Sequence, residues 1–293
     1  MSIKNVTFQF LFSIVFFSYT GQSQSIDFTN PSSFTDGIEG PDTDQEGNVY
    51  AVNFTKQGTI GKVTPAGNAA IFVELPNGSI GNGIRFGSSK EMFVADYINH
   101  NILKIDMNNK EIEVYAHETK ANQPNDLTIA RNGTIYASDP NWPNSTGNLW
   151  KITKAKGFEL LEENMGTTNG VEISNDGSKL FVNESVQRLI WVYDIQPDGG
   201  VSNKRQFHAF EDFGLDGMRF NKDGNLFVCR YGKGTVAILS PEGKLLQELD
   251  VKGKNPTNIT FSPDYKTCYV TVADRGCIEK FDLSNLRLSD NSK

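Results

Sequence analysis

A short phrase recurs six times along this chain: an acid or side-chain amide just before a strand-like run, followed 11 or 12 residues later by an aromatic. The pairs are Glu39 with Tyr50, Asn82 with Phe93, Asn125 with Tyr136, Asn169 with Phe181, Asp216 with Phe227, and Asn258 with Tyr269. The local wording runs IEGP, GNGI, PNDL, TNGV, LDGM and TNIT. Between phrase and aromatic usually sits a turn such as DQEG, RNG, NDG or KDG, so each unit reads strand, tight turn, strand. Successive aromatics are 43, 43, 45, 46 and 42 residues apart. A period of about 40 to 50 residues with four strands per unit is the signature of a β-propeller. Six units predict an all-β fold of six four-stranded blades.

The repeats run from about Glu39 to about Asp282 and leave no room for a second domain in 293 residues. The sixth unit ends after its third strand, Ile278 to Leu283. A ring closes best when one terminus completes the blade begun by the other, so Ser25 to Phe28 is expected to supply the outer strand of blade six. The propeller then spans residues 25–288, with a polar tail over 289–293. Runs such as MFVADY, LFVNES and CYVTVAD are apolar on both faces, as suits sheets covered on both sides by their neighbours.

Residues 1–23 have Lys4 near the start, an apolar run from Val6 to Tyr19, and then the small, polar stretch TGQSQS. That is the grammar of a secretory signal peptide. The run includes Gln9 and is shorter than the roughly 20 apolar residues a membrane span needs. The mature protein is therefore expected to be exported, periplasmic or secreted, with no membrane attachment after cleavage. Cys268 and Cys277 fall on successive strands, but pairing across the turn near Asp274 sets Cys277 opposite Val272. A bridge is out of register, and Cys229, Cys268 and Cys277 read as buried free thiols.

Symmetry carries equivalent residues of every blade to equivalent radii, and the strand that opens each repeat is normally nearest the central channel. Glu39, Asn82, Asn125, Asn169, Asp216 and Asn258 are thus expected to converge at one mouth. Two carboxylates and four amides are hard oxygen donors, with no His or Cys among them, and suit calcium before zinc or magnesium. If the second strand of each blade returns to that mouth, its end presents Asp96, Asp139, Glu184, Arg230 and Asp274 as a second tier. Arg230 is the one cation in this tier and a candidate to orient a carboxylate or oxyanion. Trp142, between two prolines in the turn after Asp139, is a candidate to overhang the mouth.

The net charge of −7, with no basic stripe, argues against a nucleic-acid partner. Asp42, Asp44, Glu46 and Gly47 imitate the start of an EF-hand loop, but the twelfth position is Asn53 and the flanks read as strands. There is no HExxH, GxSxG, P-loop or CxxC, and His100, His117 and His208 lie outside the ring positions.

Over nearly all of its mature length the chain resembles the SMP-30/gluconolactonase/LRE family of six-bladed propellers, most tellingly in IEGP at Glu39, PNDL at Asn125, TNGV at Asn169 and LDGM at Asp216. The resemblance implies a divalent cation on Glu39, Asn169 and Asp216, with Asn125 as a further ligand or a substrate contact, and Asp216 as catalytic acid or base. Some sugar-lactonase members carry an Arg two residues before the blade-three Asn, where this chain has Gln123. The implied activity is a metal-dependent hydrolase, acting as a monomer on a small-molecule lactone or ester. Asp216 is either the base that takes a proton from water or the nucleophile itself. The competing readings are a noncatalytic recognition propeller with a structural calcium, and an arylesterase or phosphotriesterase in the same pocket.

Overall fold

The computed structural model describes residues 24–288. The expected leader, residues 1–23, and the polar tail, residues 289–293, lie outside them. Six four-stranded antiparallel sheets are formed. The innermost strands, in blade order, are Asp42–Thr43, Gly81–Ser88, Leu127–Ile129, Thr168–Ile173, Met218–Phe220 and Pro256–Phe261. Blade six is completed from the N-terminal side, where Ile26–Asp27 pairs with Cys277–Asp282, Ile26 opposite Lys280 and Asp27 opposite Glu279.

The six aromatics hold the ring together. Each faces its own inner strand three residues past a fixed ring position: Asp42 pairs with Tyr50, Arg85 with Phe93, Thr128 with Tyr136, Glu172 with Phe181, Arg219 with Phe227 and Thr260 with Tyr269. Its ring then lies in the apolar seam against the next blade. Tyr50 packs with Ile84, Met92 and Val94 of blade two, and Phe227 with Ile259, Phe261 and Val270 of blade six. Tyr269 packs with Val49 and Ala51, which closes the circle. Six such clusters fill the six seams, so the core is distributed between blades instead of lying at the centre. Burial of an aromatic in each seam contributes a few kcal/mol.

The centre is free for polar side chains. Cys229, Cys268 and Cys277 are buried and unpaired, and Cys277 stands opposite Val272 as its register requires. No helix among the described residues is long and apolar enough to cross a membrane.

Candidate metal and substrate site

At one mouth of the channel a cavity of about 470 Å³ has Glu39, Asn82, Asn125, Asn169, Asp216 and Thr257 among its lining residues, one from each blade. Each sits three residues before the position that pairs with the aromatic. In blades two, four and six a break in strand register falls at this point, between Gly81 and Ile84, Thr168 and Val171, and Pro256 and Ile259. Such irregularities re-aim side chains, and here both the mouth residue and the residue three places on turn toward the channel.

Inner strands of adjacent blades approach backbone to backbone just beyond this point. The Gly83 N–H donates to the Asn125 carbonyl at 2.8 Å, and the Gly217 N–H to the Thr257 carbonyl at 2.7 Å. A Cβ on Gly40 would lie 2.1 Å from the Asn82 carbonyl oxygen, so only glycine allows that approach, and its φ of +49° is in the left-handed region.

The member from blade six is Thr257, which corrects the expectation of Asn258. The turn between the first two strands is one residue longer in blades four and six. The closing backbone bond spans Ser262 to Thr267, whereas in blade five it spans Asn221 to Asn225. Counting 11 back from Tyr269 therefore stops one residue short. Thr257 sits 12 before its aromatic, as Asn169 does before Phe181. Its hydroxyl donates to the Ile38 carbonyl at 2.9 Å. Asn258 instead occupies the place held by Gly40, Gly83, Gly170 and Gly217 elsewhere, and its side chain lies against Gly217 and reaches the Glu39 carboxyl. The ring is thus two carboxyls, three amides and one hydroxyl.

The strand ends expected to form a second tier are committed elsewhere, and none of the five lines the cavity. Each ties down the loop that delivers the mouth residue of its own blade. Asp96 accepts from the Ser79 hydroxyl at 2.7 Å, Asp139 from the Gln123 N–H, Glu184 from the Gly166 N–H at 2.9 Å, and Asp274 from the Asn255 N–H at 2.9 Å. In blade one Asn53 does this by donating to the Gly37 carbonyl at 2.6 Å. In blade five the polarity is reversed: Arg230 donates to the Asp212 carbonyl and carboxylate. Fully buried, it also pairs with Glu248 at 2.9 Å and stacks on Phe210, so it offers nothing to an oxyanion at the mouth. Asp139, likewise buried, is further saturated by Asn148 and by the Trp150 indole N–H at 2.8 Å. Trp142 does overhang the cavity and is 41% exposed.

Glu39 and Asp216, from blades one and five, face one another within hydrogen-bonding reach. Burial pushes Glu39 up to about 7, with the negative charge of Asp126 adding to the shift. Burial also carries Asp216 well above the ordinary carboxylate range, with Glu39 the next largest cause. Two desolvated acids side by side disfavour double ionisation unless a cation joins them. The Asn125 Oδ1 is buried with no hydrogen-bond partner. Asn82 Nδ2 is unpaired too, and turning that amide over exchanges it for an oxygen. Orphaned amides beside two mutually repelling carboxyls fit a hard divalent cation.

A lower ring escaped the sequence reading. The residues three places on are Asp42, Arg85, Thr128, Glu172, Arg219 and Thr260. Arg85 of blade two pairs with Glu172 of blade four at 3.4 Å, and with Asp126 at 3.4 Å. Arg219 of blade five reaches Asp42 of blade one at 3.6 Å and the Pro41 carbonyl at 3.1 Å. Blades two and four are not neighbours, nor are five and one, so these pairs cross the channel and close it. Beyond them, at the other end, a separate cavity of about 330 Å³ is lined by Asp42, Glu172, Arg219 and Thr260. Charged residues of both signs three places past the repeated phrase were the available signal. Asp42, which resembled an EF-hand ligand, belongs to this plug.

Among the described residues, one group of three acids and thiols could in principle ligate a metal: Asp27, Cys277 and Glu279 at the closure of blade six. Arg275 bridges both carboxylates and Lys252 lies 3.2 Å from Asp27, so the charge there is already neutralised.

The SMP-30/gluconolactonase/LRE-like family model matches residues 38–274. Gluconolactonase of Zymomonas mobilis is 26% identical over 80% of this chain and 76% of its own length. Diisopropyl-fluorophosphatase of Loligo vulgaris is 24% identical over 87% and 91%. Among solved structures, the calcium-binding protein regucalcin from Agrobacterium tumefaciens superposes with a TM-score of 0.77 at 17% identity, covering 88% of this chain and 94% of its own. With the family model spanning every blade and the mouth residues of IEGP, PNDL, TNGV and LDGM in one cavity, the chain belongs to the SMP-30/gluconolactonase/LRE-like family.

Proposed function

We propose that this protein is an exported, metal-dependent hydrolase that opens a lactone at the channel mouth. The observation that carries this reading is the convergence of the Glu39 and Asp216 carboxyls with the partnerless Asn125 Oδ1 on the floor of one cavity. Glu39, Asn125, Asn169 and Asp216 would hold a divalent cation, calcium being the best match to their oxygens. When bound, such a cation supplies Lewis-acid polarisation of an acyl oxygen.

The remaining chemistry falls to the chain. Asp216 would take a proton from the attacking water or attack directly, and Asn169, in the same cavity lining, would steady its carboxyl. Asn258 lies beside Glu39, favours its ionised form and would steady the second carboxyl. The clamps from Asn53, Asp139 and Glu184 hold the supporting loops in place, so little reorganisation is needed when substrate arrives. The plug of Arg85 and Arg219 closes the channel beneath.

The relative named diisopropyl-fluorophosphatase favours a phosphotriesterase as the second reading, in the same cavity. The test is a panel of lactones, aryl esters and phosphotriesters, assayed with calcium, with zinc and after chelation. Calcium-dependent lactone turnover is expected. Turnover confined to phosphotriesters would support the second reading, and none at all, in a folded and metal-loaded protein, would leave a recognition propeller. Export is checked by fractionation for a chain shortened by the leader.

A further inference from the structure

We infer that the substrate is uncharged and carries an apolar substituent, which lies across an aromatic and aliphatic rim on blades two to five. This rests on the hydrolase reading above and specifies it. The cavity's lining residues include no Lys, Arg or His. Arg230 is turned into the blade, and Gln123 in the wall is neutral. A cation held by Glu39 and Asp216 would already be neutralised by them, and Asp36 at the edge is a further acid. An anionic substrate would therefore have no countercharge.

The upper wall is built from Tyr97, Trp142 and Tyr231. Of the eleven large hydrophobic side chains exposed among the described residues, five sit on outer strands and one, Tyr265, at the opposite end of the channel. The other five, Ile98, Trp142, Val186, Phe213 and Tyr231, are all on loops at this mouth. Ile98 and Val186 directly follow the cavity residues Tyr97 and Ser185, and Phe213 lies against Gly232, beside Tyr231. Phe213 is 48% exposed and holds a φ of +48°, a conformation that L side chains disfavour. An exposed phenylalanine kept in a strained backbone state calls for a functional reason. Blades six and one add no aromatic side chain to the cavity and no exposed large apolar one: Ile38, their one large aliphatic lining residue, is fully buried, and the rest are small or polar, such as Ala273, Gly37 and Asn53. The rim is thus one-sided, as suits a ring seated on the polar floor with a single apolar tail leaving it. In the reaction, water oxygen bonds to the acyl carbon, the acyl–oxygen ring bond breaks, and the proton passes to the departing oxygen, giving a hydroxy acid.

The experiment uses the calcium-supplemented protein and γ-lactones with hydrogen, butyl or octyl substituents, alongside glucono-δ-lactone. Each added methylene is expected to raise kcat/KM about threefold, chiefly through KM, until the rim is covered. Trp142→Ala and Phe213→Ser should each flatten that slope. The matching alkyl lactams, which resist hydrolysis, should perturb tryptophan fluorescence with affinity rising along the same series. If glucono-δ-lactone is the best substrate, or if chain length has no effect, the inference is overturned while the hydrolase stands. If no lactone turns over, the lactone-opening reading fails and the lactams decide: affinity that does not grow with chain length overturns the inference as well.

Discussion

The mouth ring and the ring three residues deeper are carried by the same six strands, yet only the deeper one meets its buried acids with cations, and even there burial raises Glu172. The lower ring brings its own cations: Arg85 and Arg219 lie among Asp42, Asp126 and Glu172. Burial by itself would lower the Arg85 pKa, but these acids hold it above its ordinary value. The upper ring has two carboxyls and no cation, and both carboxyls are driven toward their neutral forms. A buried charge persists when it is paired and otherwise gives up ionisation. One ring carries its own countercharge, whereas the other is complementary to a cation from outside. The same backbone frame thus makes a plug and a receptor, and the choice is made by which side chain stands at each of two positions per blade.

The largest effect that would test this contrast is on turnover. Asp216→Asn keeps an oxygen at the ring but cannot accept a proton or attack, so hydrolysis should fall by about 10²- to 10⁴-fold while calcium still binds. Wild-type turnover in a metal-loaded Asp216→Asn protein would remove Asp216 from the chemistry. In the lower ring the expected loss is stability. Arg85→Met strands Asp126 and Glu172 as buried acids, and breaking such a pair costs about 3–5 kcal/mol. Thermal melts should show that loss with and without calcium, since this ring needs no external ion. A melting temperature like that of the wild type would mean that the channel pairs are incidental.

Acidity should affect the upper ring in a distinctive direction. A carboxyl raised on folding binds more protons in the native state, so stability falls as pH rises from the ordinary 4.5 toward the folded value of about 7 for Glu39. In chelator the protein should lose roughly 1–3 kcal/mol between pH 5 and pH 8 from this source. Calcium should restore that loss, and Glu39→Gln should remove this part of the slope. Denaturant titrations at the two pH values, with and without chelator, provide the measurement. Equal slopes in wild type and Glu39→Gln would show that the pair carries no such strain.

Much of this was legible because a propeller repeats its grammar. The aromatic that fills each seam fixes the period, and the oxygen-bearing residue before each inner strand marks the mouth, so Glu39, Asn82, Asn125, Asn169 and Asp216 were located from spacing alone. Spacing failed where a turn changed length: one extra residue before Tyr269 made Asn258 look like the ring member when Thr257 is. Strand-end polarity was readable, but its use was not. Asp139 and Arg230 sit at the mouth end of their strands as expected, yet each turns to the loop that enters its own blade. Nothing in a linear pattern says whether a polar side chain at a strand end faces a cavity or a neighbouring backbone amide. The lower ring was hidden because its pairs join blades two with four and five with one, contacts that exist only after the circle has closed.

The smallest effects concern which residues belong to the upper ring. Asn169 lines the cavity and favours the ionised form of Asp216, so Asn169→Ala removes a candidate ligand and a support together. Asn258 lies beneath, packed on Gly217 and beside Glu39. Thr257 lines the cavity, but its hydroxyl proton is committed to the Ile38 carbonyl. Calcium calorimetry should therefore rank the losses Asn169→Ala, then Asn258→Ala, then Thr257→Val. The first should weaken Kd by about tenfold or more, the second severalfold, roughly the worth of one ordinary hydrogen bond, and the last little. Thr257→Val should instead lower stability by about 1 kcal/mol, because the buried Ile38 carbonyl loses its donor. If Thr257→Val weakens calcium as much as Asn169→Ala does, the hydroxyl is a ligand and all six blades contribute to the ion. If Asn258→Ala has the largest effect, the orientation of Glu39 controls affinity more than the number of oxygens around the ring.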